Sequence, residues 1–228
     1  LSWADGIAKA FKLTKQDDRY VVAVIGDGAL TGGMAWEALN NISDDNDRKL
    51  VIIVNDNGRS YAPTIGGLAK HLTNIRTDRM YKRMYRFSKK VFYSFGTLGR
   101  LVFNAARGAG RSALETMAPQ SMFPNLDIKY IGPVDGHDIL AVEHALRQAK
   151  NYSSPVIVHV MTQKGKGYDP AMLNEDDQFH AVGKIDPTTG ESLEVSGGVS
   201  WTNIFRDEMV AIADARKDVV GISGAMTI

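Results

Sequence analysis

The sequence has 228 residues, of which 44% are hydrophobic and 23% charged, with a formal net charge of +1 and no cysteine. This balance gives no reason to expect nucleic acid or an acidic membrane surface as a partner, and it excludes disulfides, thiolate metal sites and a cysteine nucleophile. No apolar run approaches the roughly 20 residues that span a bilayer, and Asp5, Lys9 and Lys12 break up the first apolar stretch, so neither a membrane span nor a signal peptide is read. A cytoplasmic location fits the composition.

Residues 1–13 have helical spacing (Leu1, Ala4, Ile7, Ala8, Phe11) and are closed by the polar stretch Lys15 to Arg19. Tyr20 to Ile25 is a continuous apolar run ending in glycine, as in a strand buried on both faces. Helix formers follow from Met34 to Leu39, ended by Asn40, Asn41 and Asp44 to Asp47. Leu50 to Val54 reads as a second buried strand, and the intervening length implies a right-handed parallel crossover. Residues 58–127 are less regular. Within them, a basic and aromatic segment around 76–120 is expected to be a mobile helical insert with solvated charges rather than an RNA surface. Ile128 to Ile131 reads as a strand, Gly132 to Gly136 as a turn, 137–150 as a helix and Pro155 to Val160 as a further strand. Lys164-Gly165-Lys166-Gly167-Tyr168 is a loop. The expected organisation is one domain over 1–190, a linker over 191–200, and the opening of a second domain over 201–228, with a helix at 201–214 and a strand at 219–223. The chain reads as a piece of a longer protein.

Two strands thus end in polar loops, Gly26-Asp27-Gly28 and Asn55-Asp56-Asn57-Gly58. In a parallel sheet both loops lie at the carboxyl edge, where α/β folds bind ligands. Glycine lets backbone approach a ligand closely, and a following helix aims free N–H groups at it, which describes a phosphate site. A bare Asp27 carboxylate would repel a diphosphate. A hard divalent cation removes the conflict: Mg²⁺ takes oxygen ligands and shares them between a few protein groups, phosphates and water. Asp27 offers a charged oxygen, Asn57 an amide oxygen, and the peptide carbonyl of Arg59 a third. Two ordinary turns, or a dinucleotide site built on Gly26, Gly28 and Gly32, are the competing readings. The second of these wants an acidic residue where the second strand ends, and Asn55 stands there.

With Asp27 and Asn57 thirty positions apart, these motifs resemble the signature of the thiamine-diphosphate enzymes. The wider text resembles the 1-deoxy-D-xylulose-5-phosphate synthase family within that group. The matching stretches are Gly26 to Met34, Glu37 to Asn41, Val54 to Ser60, Tyr130 to Asp138, Lys164 to Tyr168 and Phe179 to Val182, followed by Ile185-Asp186-Pro187. The resemblance implies an α/β fold, a parallel sheet flanked by helices with the cofactor at the carboxyl edge of the strands. It implies thiamine diphosphate and Mg²⁺ as cofactors, with thiazolium as the electron sink, and a transferase of the transketolase type. Pyruvate would be decarboxylated and its two-carbon unit joined to D-glyceraldehyde 3-phosphate, giving 1-deoxy-D-xylulose 5-phosphate for isoprenoid, thiamine and pyridoxal phosphate synthesis. A homodimer is implied as well.

Carried onto this sequence, the family pattern makes Asp27 and Asn57 Mg²⁺ ligands, puts Gly28, Ala29 and Tyr168 against the cofactor, makes Lys164 a cationic anchor and sets His180 at the reacting centre. Without the resemblance, His180 and the two loop lysines would read as structural or solvated groups. His71, His144 and His159 have no constellation around them, and Asp135 and His137 read as turn and cap residues. The family's activating glutamate, in the pyrimidine-binding domain that 201–228 would open, falls beyond residue 228, and its histidines ahead of residue 1 are also outside the chain, so the chain alone is expected to be inactive. A transketolase, the decarboxylating component of pyruvate dehydrogenase, and a non-catalytic diphosphate-binding module are the alternatives.

Overall fold

A computed structural model describes residues 1–45, 47–59, 67, 126, 128–193 and 200–222. The chain divides into two compact units: Leu1–Gly58 with Thr64–Thr162, and Arg59–Pro63 with Gln163–Ile228. The insert expected around 76–120 and most of the linker lie outside the described residues.

The first unit is an α/β layer built on a four-stranded parallel sheet in the order β1-β2-β4-β3. Its strands are β1 (Val21–Gly26), β2 (Leu50–Asp56), β3 (Lys129–Asp135) and β4 (Val156–Met161). Helix α1 (Ser2–Leu13), the short α2 (Asp27–Leu30) and α3 (Gly33–Ser43) cover one face. There Ala4, Ala8, Leu30, Leu39 and Ile42 pack on Leu50, Ile52, Val54 and Ile157. Helix α4 (Ile139–Ala149) covers the other face, with Ala145 and Ala149 against Val51, Val156, Val158 and Val160. The central strands β2 and β4 are buried on both faces, which is why they read as unbroken apolar runs rather than alternating ones. β1 lies at the sheet edge, and Val22 and Val24 on its α4 side are exposed. A buried pair, Arg48 donating to Asp5, ties α1 to the segment that enters β2, and Arg48 also donates to the Asn41 carbonyl at 3.1 Å.

Three details differ from the expectations. Gly132 to Asp135 is not a turn but the continuation of β3, carried past Ile131 by a bulge that shifts its register on β4. Gly132 sits at φ +138° and a Cβ there would fall 2.6 Å from the His159 carbonyl oxygen, so glycine marks a close strand approach here. Asp135 is a turn acceptor for the His137 amide at 3.0 Å, whereas α4 is capped by Asp138, which accepts from the Ala141 amide at 3.2 Å. Directly after β1 comes only the four-residue α2; α3 starts at Gly33, because Thr31 turns back to the Gly28 carbonyl (Oγ1 to O 2.6 Å). The N–H groups of a long helix are therefore not aimed from the Gly26-Asp27-Gly28 loop.

The second unit holds α5 (Asp169–Leu173) and α6 (Trp201–Ala215). α6 is capped by Ser200, whose hydroxyl accepts from the Asn203 amide at 3.1 Å, and none of its residues is buried. A single antiparallel bridge joins Ile185 to Ser192. Val219 to Ile222, expected to be part of a strand, form none, since no neighbouring strand pairs with them among the described residues. No helix among the described residues is long and apolar enough to cross a membrane.

Candidate functional site

In the first unit the sheet brings two of the sequence-selected residues together. β1 and β2 are parallel neighbours with Gly26 opposite Asn55, so the loops that leave them emerge side by side. Asp27 is 2% exposed, and its Oδ1 lies 3.5 Å from the Asn57 amide nitrogen, at the long limit of a hydrogen bond. Gly28 is half-buried and Ala29 exposed on the same short helix, and a Cβ on Gly26 would meet nothing within 4 Å. A buried carboxylate facing the main-chain amide of Asn57 brings the two loop ends together, and the oxygens that Asp27 and Asn57 carry are hard donors. No group of three or more His, Cys, Asp or Glu gathers among the described residues. The oxygens of Asp27 and Asn57 are of the hard kind that Mg²⁺ takes.

Beneath this edge lies a cluster that sequence reasoning missed. His159, in the middle of β4, is fully buried, not exposed and not isolated. Its Nε2 is 3.0 Å from Asp56 Oδ2 and its Nδ1 is 2.6 Å from the Tyr130 hydroxyl. A histidine inside a strand buried on both faces was the available signal, because a polar ring taken out of water needs partners. Beside it, Thr162 clasps the adjacent loop, its amide donating to the Asp56 carbonyl at 2.9 Å and its hydroxyl to Asn55 Oδ1 at 2.6 Å.

The second unit brings together Arg59, Lys164, Tyr168 and His180. Lys164 Nζ donates to the Asp177 carbonyl at 2.7 Å and lies 3.0 Å from His180 Nδ1. With Lys164 as an ammonium, which has only protons to offer, Nδ1 is the acceptor of this contact. Burial pushes the Lys164 amine below its ordinary range; the Asp177 carboxylate offsets part of this, and the Arg59 guanidinium adds to the lowering. Arg59 donates to the carbonyls of Glu175 (2.7 Å) and Asp176. The loop carrying His180 is held by its own side chains: Asn174 Oδ1 accepts the amides of Asp177 and Gln178 at 3.0 and 2.9 Å, and Asp177 Oδ1 accepts that of Phe179 at 2.8 Å. Gln178 and Phe179 stand at φ +50° and +55°, the left-handed region. The Tyr168 ring packs 6.1 Å from that of Phe179, and its buried hydroxyl has no hydrogen-bond partner among the described residues. Lys166 is exposed on the same loop.

The sequence model of the 1-deoxy-D-xylulose-5-phosphate synthase family matches residues 1–162. Among curated proteins, the 1-deoxy-D-xylulose-5-phosphate synthase of Clavibacter sepedonicus is 58% identical over 227 residues, 99% of this chain and 35% of that protein. That of Leifsonia xyli subsp. xyli has the same identity and coverage. The protein of that name from Paenarthrobacter aurescens is 56% identical over 235 residues, covering all of this chain and 36% of its own length. The chain therefore spans about a third of the length of the curated relatives it matches.

Proposed function

The chain belongs to the 1-deoxy-D-xylulose-5-phosphate synthase family, and from that premise we propose that it carries the diphosphate- and metal-binding part of such a synthase. The protein would be a transferase of the transketolase type, acting on pyruvate and D-glyceraldehyde 3-phosphate to give 1-deoxy-D-xylulose 5-phosphate and CO₂. The juxtaposition of the buried Asp27 carboxylate with Asn57 is the observation that supports this reading most directly.

Asp27 and Asn57 would ligate Mg²⁺, with the Arg59 carbonyl as a third protein oxygen, and Gly28 and Ala29 would lie against the diphosphate. When bound, thiamine diphosphate supplies an electron sink for the decarboxylation of a 2-oxo acid. The chain's own groups bind and orient. Lys164 would bring positive charge for anionic substrates, and His180, 3.0 Å from it through Nδ1, would act at the reacting centre as a hydrogen-bond donor. The unpartnered Tyr168 hydroxyl is suited to a ligand polar atom. We assign 1–190 to the diphosphate-binding domain, 191–200 to a linker and 201–228 to the start of the pyrimidine-binding domain of a cytoplasmic homodimer.

Titration calorimetry of the full-length protein with thiamine diphosphate, with and without Mg²⁺, tests the site. Binding should require Mg²⁺, and Asp27→Ala should weaken it about a hundredfold, the equivalent of roughly 3 kcal/mol for a lost charge-assisted contact. Binding indifferent to Mg²⁺, or untouched by Asp27→Ala, would overturn the assignment. Turnover of pyruvate with D-glyceraldehyde 3-phosphate, against turnover of a ketose donor, separates the synthase from a transketolase.

A further inference from the structure

We propose that Asp56, His159 and Tyr130 form a positioning relay that sets the Asn55–Asn57 loop for metal binding; this rests on the reading of Asp27 and Asn57 as Mg²⁺ ligands. The three residues come from β2, β4 and β3 and lie on one face of the sheet, that of Ile52, Val54 and Ile157. Asp56 is 1% exposed and His159 0%, so their contact lies out of water.

The direction of the Asp56–His159 hydrogen bond follows from the chemistry of the groups. A carboxylate only accepts, so His159 Nε2 carries the proton and donates to Asp56 Oδ2 across 3.0 Å. The other ring nitrogen, Nδ1, is paired with the Tyr130 hydroxyl across 2.6 Å, and a hydroxyl can donate or accept. Tyr130 thereby fixes the orientation of the ring that His159 presents to Asp56. β3 is bent into place for this: only a residue without a Cβ lets Gly132 lie 2.6 Å, by the position such an atom would take, from the His159 carbonyl.

What the relay acts on is the middle residue of the loop. The Asp56 side chain is held from below by His159, while its carbonyl takes the Thr162 amide at 2.9 Å. Asn55 is held by the Thr162 hydroxyl at 2.6 Å. With residues 55 and 56 both held, Asn57 leaves the strand in one direction, its amide toward Asp27. An apolar trio would fill the same volume without the desolvation cost of a buried carboxylate and imidazole, so packing alone does not account for these residue types. Groups behind metal ligands orient them through hydrogen bonds; here the hold on Asp56 would reach Asn57 through the one peptide unit between them.

The test is Mn²⁺ binding to the full-length protein at saturating thiamine diphosphate, read from the electron paramagnetic resonance of free Mn²⁺, with the unfolding midpoint of each ligand-free variant measured alongside. His159→Leu is expected to weaken Mn²⁺ about tenfold to a hundredfold, the usual cost of removing a group behind a metal ligand. His159→Gln, whose amide nitrogen can still donate to Asp56, should recover most of that loss, and Tyr130→Phe should give a smaller but measurable weakening. A His159→Leu protein that melts earlier yet binds Mn²⁺ as tightly as the unaltered protein would reduce the trio to core packing and overturn the proposal. Should that variant not fold, Tyr130→Phe decides, because unchanged Mn²⁺ affinity there overturns it equally. Asp27→Ala separates the two readings. If it abolishes Mn²⁺ binding while the relay variants do not, the relay falls and the metal site stands. If the unaltered protein does not bind Mn²⁺ with thiamine diphosphate, both fall.

Discussion

His180 shows how a residue's chemistry is set by its neighbours. An exposed histidine is by itself an indifferent group, but Lys164 engages Nδ1 and so limits how the ring can turn. The backbone at Gln178 and Phe179 is held in left-handed conformations at a cost of about 1–3 kcal/mol each, offset by the amide bonds to Asn174 and Asp177. Such a loop presents a side chain at a reproducible angle. If the full-length protein has the proposed activity, His180→Ala is expected to lower kcat by about 10²- to 10⁴-fold, the range of a positioned proton donor. Calorimetric affinity for thiamine diphosphate with Mg²⁺ should change little; a loss of binding in place of turnover would place His180 in cofactor retention instead. The resemblance to the family motif is what singled out His180 in the sequence. The Lys164 contact was not, because it depends on a loop geometry that no periodicity encodes.

At the scale of elements, apolar runs and capping residues carry most of the information. α1, β1, β2, α4, β4 and α6 fall where hydrophobic spacing puts them. The turn expected at Gly132 to Gly136 failed because glycine and proline were read as punctuation, while here they belong to a bulged strand. The turn after Ile185 is built differently, around one carboxylate. Amides of Thr188 and then Thr189 bind Asp186 at 2.7 and 3.3 Å and hold its carboxyl below the usual carboxylate range. A carboxylate lowered in the folded state contributes stability that is complete above its unfolded value of about 3.9 and is lost as pH falls through the lower folded value. The Thr188 and Thr189 amides should thus lose hydrogen-exchange protection only below about pH 4, and Asp186→Asn should remove that acid transition. If the variant kept the same transition, another group would be responsible.

For the molecule as a whole, the parallel α/β layer follows from strands too apolar to face water on either side, and the position of the proposed site follows from where such strands end. The order β1-β2-β4-β3 was not legible. Nothing local in Val156 to Met161 says that it inserts between β2 and β3, since that pairing is decided by packing between residues far apart in the chain. Asp56, His159 and Tyr130 stayed hidden for the same reason: 103 and 29 positions separate the hydrogen-bonded pairs. Binding to the folded state alone raises stability by mass action. Mg²⁺ with thiamine diphosphate at 100 times its dissociation constant should therefore stabilise the full-length protein by about 2.7 kcal/mol. Differential scanning calorimetry would show this as a raised midpoint with both ligands, and no rise would count against a site formed in the folded protein.

The close approach at Gly132 has a consequence for descent. Position 132 cannot acquire a side chain while β3 lies against His159, and no change of ring or side chain at 159 makes room, because the atom in the way is a main-chain oxygen. The glycine is thus constrained by the path of the neighbouring strand, not by the identity of its partner. Divergence could alter Tyr130, His159 or Asp56 by compensating exchanges among the three, yet leave Gly132 as a silent record that β3 once bent to meet them.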